Sequence, residues 1–235
     1  MSIEIKAEGF TFASASLASE VGGEHKYLIG PNDHAVIYEL AKDFSYGSEP
    51  WMFERSDLFK FSRNNEMAEC KLILPWRNTK APRFHVDEVD GFFRISGESK
   101  NYRPIPPTTK RHLCLDSRTI FAFHRTDLPL KGIKISDFIS ILISVDGTYC
   151  GWKMRDFLQF AEFDGKAPHQ FEDILIEYQA LDFIFKNYCD EIIVDLDIDN
   201  EEAIRRMELN AMNESWPLAS QIFRYTLDGL KEIYF

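Results

Sequence analysis

The stretch "GIKISDFISILISVDGTYCGWKM", residues 132–154, decides the fold because it can be read in two ways. Ser136 stands where a helix N-cap would, just ahead of "DFISILIS". Against a helix, Ile139, Ile141, Ile143 and Val145 alternate with Ser140, Leu142 and Ser144, which is the two-residue period of a strand. β-Branched side chains lose rotamer freedom on a helix and fit a pleated surface. Asp146-Gly147 adds a pair able to take the positive φ angles of a tight hairpin. The strand reading prevails and places a sheet near the centre of the chain.

Working outward, "MAECKLIL" (67–74), "GFFRI" (91–95), "RHLCL" (111–115) and "TIFAFH" (119–124) read as further strands, the last two joined by a turn at "DSR" (116–118). "YRPIPPTTK" (102–110) carries three prolines and is expected as an extended loop, since proline suits neither a helix interior nor a central strand. It is the expected boundary between a sheet-rich part, 1–103, and a second part, 108–235, unless the chain forms one continuous domain. Nearer the N-terminus, Ile3 and Ile5 alternate with Glu4 and Lys6, "EGF" leads into a second strand at Phe10 to Phe12, and "KYLIG" (26–30) forms a third. "PNDHAVIYELAKDF" reads as a helix capped by Asn32 or Asp33, with Val36, Ile37 and Leu40 on one face.

From Pro168 onward the apolar spacing becomes helical. Phe171, Leu175, Tyr178, Leu181 and Phe185 form one stripe. "EIIVDLDIDNEEAIRRM" (191–207) returns as a strand and then a short helix containing Ile204 and Met207. A last helix capped by Ser215 buries Leu218, Ile222, Tyr225, Leu230 and Ile233. The fold class expected from this pattern is α+β, with mixed or antiparallel sheet in the N-terminal and middle parts and a helix-rich C-terminal part.

Twenty phenylalanines in 235 residues call for a developed core. The longest apolar run, "FISILISV", falls well short of the ~20 residues a membrane helix needs, and the N-terminus lacks the pattern of a secretory signal. The cysteines, Cys70, Cys114, Cys150 and Cys189, form no C-x-x-C pair, which leaves out a zinc ribbon or thioredoxin motif. A cytoplasmic location with reduced core thiols is expected. The net charge of −11 is unevenly spread: residues 1–65 carry −4, residues 66–135 carry +5 and residues 136–235 carry −12.

Several clusters invite chemistry. Asp195, Asp197 and Asp199 alternate with apolar residues. They start like a calcium loop, but the sixth and twelfth positions are Asn200 and Arg206, where such a loop needs glycine and a bidentate glutamate. On a strand the three carboxylates, followed by Glu201 and Glu202, would form an acidic row facing water, a basic partner, or a divalent ion such as Mg or Mn. Asp57, Glu69 and Lys71 form a D…E-x-K set. This triplet, and nothing else in the chain, resembles the catalytic set of the PD-(D/E)xK nucleases, in which two carboxylates hold a divalent ion and the lysine serves the attacking water. Asp57 lacks the proline that precedes it in that pattern, and E-x-K occurs four times in the chain.

His112, Cys114 and Asp116 would share one strand face, too widely spaced for a single zinc ion without a bend. His85, Asp87 and Asp90 sit in an expected turn. The basic middle, with Arg77, Lys80, Arg83, Lys110 and Arg111 among aromatic rings between residues 76 and 111, has the make-up of a surface for single-stranded nucleic acid. It also complements the acidic C-terminal part, within the chain or in a homo-oligomer. Sequence fingerprints of Rossmann, P-loop, zincin and typical α/β-hydrolase sites do not occur. The leading expectation is therefore a soluble accessory subunit or antidote-like inhibitor, working without a cofactor, that engages a basic protein partner through Asp195, Asp197, Asp199, Glu201 and Glu202. A metal-dependent nuclease or phosphodiesterase and a non-catalytic nucleic-acid binder are the alternatives.

Overall fold

The computed structural model describes residues 2–7, 10–15, 24–29, 34–39, 57–61, 67–75, 79, 86–95, 105, 108–124, 130–163, 175, 177–179, 181–182 and 209. In chain order its strands are β1 (Ser2–Ala7), β2 (Phe10–Ala15), β3 (Glu24–Ile29), β4 (His34–Glu39), β5 (Leu58–Phe61), β6 (Met67–Ile73) and β7 (Val86–Asp90). They continue as β8 (Phe92–Ile95), β9 (Lys110–Cys114), β10 (Thr119–Phe123), β11 (Leu130–Lys134), β12 (Ile139–Ser144), β13 (Tyr149–Arg155) and β14 (Ala161–Phe163). Three sheets result, in the orders β1-β2-β8, β7-β11-β12-β13-β10-β9 and β14-β3-β4-β6-β5. Ladders join the two sides of the proline-rich segment: β7 pairs in parallel with β11, and β14 with β3.

Within residues 132–154, Ile139–Ser144 form β12, hairpinned to β13 and lying inside the six-stranded sheet. Every residue of β12 is buried, so both faces of the sheet are covered here. That explains why Leu142 occupies the serine row, and it obliges the serines to find partners. Ser140 donates its hydroxyl to Glu88, and Ser144 donates to Asp146 while accepting the Thr148 N–H at 3.1 Å. Ser136 does cap, but it caps a strand connection. Its Oγ accepts the Phe138 and Ile139 N–H groups at 3.2 and 3.0 Å, and Ile135 N–H closes the loop onto Ile139 O. Gly147 takes the positive φ expected at the Asp146-Gly147 turn, 85°. The turn between β9 and β10 also forms, with Arg118 at φ 49° and its N–H bonded to Leu115 O.

One face of the six-stranded sheet is a continuous apolar layer. Arg111, Ala122, Trp152, Ile141 and Ile133 are cross-strand neighbours in one row, and Leu113, Ile120, Met154 and Ile139 fill the next. All are buried. At the start of β13 the register shifts: Leu142 faces Gly151, but Ile143 faces Tyr149. Cys150 is the extra residue. A bulge of this kind re-aims the side chains before it, so Tyr149 joins the face of Ile143, Ile141 and Trp152. Gly151 makes the bulge feasible. Its φ is +147°, and a Cβ there would lie 2.0 Å from Ala122 O, a distance no side chain can occupy.

The expected α+β class requires correction. Among the described residues the chain is sheet-rich, no helix reaches seven residues, and no helix-rich C-terminal part is found. The described residues after Phe163 that are helical are 175, 177–179, 181–182 and 209. Of the expected stripe, Tyr178 and Leu181 are buried, but Leu175 is half exposed and Glu177 is buried instead. An apolar period is a local signal, and the face it marks must still find a surface to cover. The expected helix from Asn32 or Asp33 is likewise a strand, β4. Val36, Ile37 and Tyr38 are strand formers, and β4 has hydrogen-bonding neighbours on both sides, β3 and β6; such pairing overrides a capping signal. "VDEVD", read as a turn, is edge strand β7. The expected last helix lies outside the described residues.

Replacing Gly151 by alanine is expected to lower stability by about 3 kcal/mol or more, or to prevent folding, because backbone must move. Gly132→Ala meets side chains rather than backbone, Val86 Cγ1 at 2.9 Å and Glu88 Cγ at 3.1 Å, and should cost less, about 1–3 kcal/mol. Urea denaturation of the two variants checks the order.

Candidate functional site

Asp57 immediately precedes β5 and is buried, with 1% of its surface exposed. A carboxyl in such a place must be satisfied by hydrogen bonds. Its Oδ1 accepts the Ile73 N–H from the end of β6 at 2.8 Å, the Thr108 backbone donates to it as well, and its Oδ2 accepts the Tyr149 hydroxyl at 2.5 Å. The Thr108 hydroxyl donates to Ile73 O at 3.2 Å, and Asp57 forms a β-bridge with Ile105. One side chain therefore ties together β5, β6, the segment 105–108 and β13. The Tyr149 ring is held edge-on by Phe59 at 6.2 Å and by His124 at 6.3 Å. Through this corner the five- and six-stranded sheets meet.

Burial drives the Asp57 carboxyl up from 3.8 to about 7, against the bonds from Tyr149, Ile73 and Thr108 that favour the charged form. Burial also raises the Tyr149 phenol well above its ordinary value, and the Asp57 charge adds to the effect. The pair is a dry carboxyl–phenol couple able to hold or release a proton.

The D…E-x-K set is not brought together. Phe59 pairs with Cys70, and Asp57 lies on their side of the sheet, where Cys70 and Leu72 are fully buried. Glu69 and Lys71 alternate with those residues and fall on the opposite, half-buried side. The two carboxylates cannot close on one ion. Of the basic set, Arg111 is buried within the apolar layer and Lys110 is half-buried. Arg77, Lys80 and Arg83 lie outside the described residues, as do Asp195, Asp197, Asp199, Glu201 and Glu202. His112 Nδ1 is 3.2 Å from Thr79 O and its ring tilts against Phe121, while Asp116 is exposed in the turn. Among the described residues no three His, Cys, Asp or Glu side chains are grouped to hold a metal ion. Cys70, Cys114 and Cys150 form no disulfide among the described residues, and the first and last are buried.

A second polar cluster crosses the other face of the six-stranded sheet. Glu88 receives the Ser140 hydroxyl and lies 3.0 Å from Lys153 Nζ, whose ammonium sits 6.0 Å over the Phe121 ring. Burial pushes Glu88 up, but Ser140 and Lys153 together hold it below the usual range. Lys134 bridges Asp90 and Asp137 at 3.4 and 3.5 Å. Sequence reasoning missed both this cluster and Tyr149. The available signals were a glycine inside a strand, which marks a bulge, and a tyrosine in an apolar strand, whose hydroxyl needs a partner when buried.

Comparison of the chain with protein-family models, with curated proteins and with solved structures finds no match.

Removing only the Tyr149 hydroxyl, by Tyr149→Phe, keeps the ring contacts and strips Asp57 of a donor. Stability should fall by about 1–3 kcal/mol, read by chemical denaturation near neutral pH; an unchanged midpoint would show that the bond contributes nothing.

Proposed function

We propose that this protein acts by binding: it is an accessory subunit or inhibitor that engages a basic protein surface through the acidic side chains of its C-terminal part, Asp195, Asp197, Asp199, Glu201 and Glu202. The observation that carries the reading is the charge distribution, with −12 concentrated in residues 136–235 of a chain whose total is −11. Complementary charge speeds encounter and selects the partner. Asp87, Asp90 and Asp137 are exposed on the described surface, the last two sharing one cation, Lys134. The burial of Arg111 takes one cation out of the set that would grip nucleic acid. The split of Asp57 from Glu69 and Lys71 removes support from the nuclease reading built on that triplet. No helix among the described residues is long and apolar enough to cross a membrane, and Cys70 and Cys150, buried without a disulfide among the described residues, accord with a reducing cytoplasm.

Affinity purification of the full chain at low salt should return a basic protein in near-stoichiometric amount. Raised salt should release it, and a triple Asp195→Asn, Asp197→Asn, Asp199→Asn variant should lower its association rate by roughly tenfold. A chain that returns alone, or an association rate indifferent to both salt and the triple variant, contradicts the proposal. Added Mg or Mn should leave the melting temperature unchanged, whereas a metal bound by the acidic row would raise it.

A further inference from the structure

The carboxyl that ties the two larger sheets together is poorly suited to carrying a charge. Among the described residues, its partners are the Ile73 and Thr108 backbone and the Tyr149 hydroxyl. The titratable groups around the pair are Cys70 on β6, Cys150 on β13 and His124 beyond β10. Among the described residues no cation acts on Asp57, so the charge of the ionised form is met there by hydrogen bonds alone in a buried corner.

We propose that the Asp57–Tyr149 hydrogen bond is a proton-controlled latch between the five- and six-stranded sheets, closed while Asp57 keeps its proton and opening toward water when the proton is lost. The pair holds two protons in the closed form and one after Asp57 ionises. Opening lets water reach the carboxylate and so favours the charged form. An exposed aspartate ionises near pH 4 and the closed one at about 7. Below the first value both forms are protonated, and pH has no effect on the latch. Between the two values only the open form has lost its proton, so each unit of rising pH favours opening by about tenfold. Above about 7 both forms are ionised and the effect levels off, near a thousandfold in total. The closed latch is therefore strongest in acid and weakest above neutrality.

Amide hydrogen exchange at Ile73 and Thr108, whose N–H groups both bond to Asp57, reads the opening directly. Measured by NMR from about pH 5 to about pH 8 and corrected for base catalysis, the opening constant should rise to about pH 7 and then flatten. Asp57→Asn, which cannot ionise, should give a flat profile. His124→Gln should keep the rise, because the imidazole is the other nearby group that ordinarily titrates in this range. A flat wild-type profile, a rise that survives Asp57→Asn, or one that vanishes in His124→Gln overturns the proposal. Should Asp57→Asn fail to fold, infrared spectroscopy of the wild type decides. The carbonyl band of a buried protonated carboxyl must be present at about pH 5 and gone by about pH 9; its absence at the lower pH overturns the latch.

Discussion

Asp57 sits where the edge of one sheet meets the hairpin of another, and the meeting depends on a single buried carboxyl having partners from three other places in the chain, Ile73, Thr108 and Tyr149. Such a group is costly to bury and costlier to leave unsatisfied. Its bonds to Ile73 and Thr108 order the end of β6 and the segment after Ile105, and its bond to Tyr149 brings in β13. Tyr149 reaches it because Cys150 bulges, and Cys150 bulges because Gly151 can adopt a conformation closed to other residues. From a glycine φ to the junction of two sheets, each step has a stated physical cause.

This dependence separates what holds the molecule together from what could act on other molecules. The most perturbed acid among the described residues faces the interior and is shared among backbone donors and a phenol. Perturbed acids often mark reaction centres, but here the geometry makes the perturbation structural. On the other face of the six-stranded sheet, Glu88, Ser140 and Lys153 satisfy one another across three strands, and burial of Ser140 follows from the closure of β12 on both sides. The described surface carries exposed carboxylates such as Asp87, Asp90 and Asp137, the last two ion-paired with Lys134.

Part of this was legible in the residues. Alternation through Ile139, Ile141 and Ile143, with Asp146-Gly147 after it, correctly announces the β12–β13 hairpin, and Thr119 to Phe123 announces β10. These signals are local and agree with one another. The misreadings share one cause, since each concerns a segment whose state depends on remote neighbours. Val36 and Ile37, at helical spacing with Leu40 in the sequence, lie in β4, which is flanked by β3 and β6. β7 shows acids on both sides because it is an edge strand, and its parallel partner β11 lies more than forty residues on. Of the expected stripe, Tyr178 and Leu181 are buried and Leu175 is half exposed, while Phe171 and Phe185 lie outside the described residues. Asp57 attracted notice through a triplet that the sheet then divides; the partner that matters, Tyr149, lies 92 residues away, beyond any local pattern.

The claim that one carboxyl–phenol bond couples the two sheets is tested most directly by a double-mutant cycle. Stabilities of the wild type, Asp57→Ala, Tyr149→Phe and the double variant, from urea denaturation at one pH, give the coupling free of each residue's other contacts. The account predicts a coupling of about 1–3 kcal/mol, with the double variant little worse than Asp57→Ala alone. Strictly additive losses, with a coupling near zero, would contradict it.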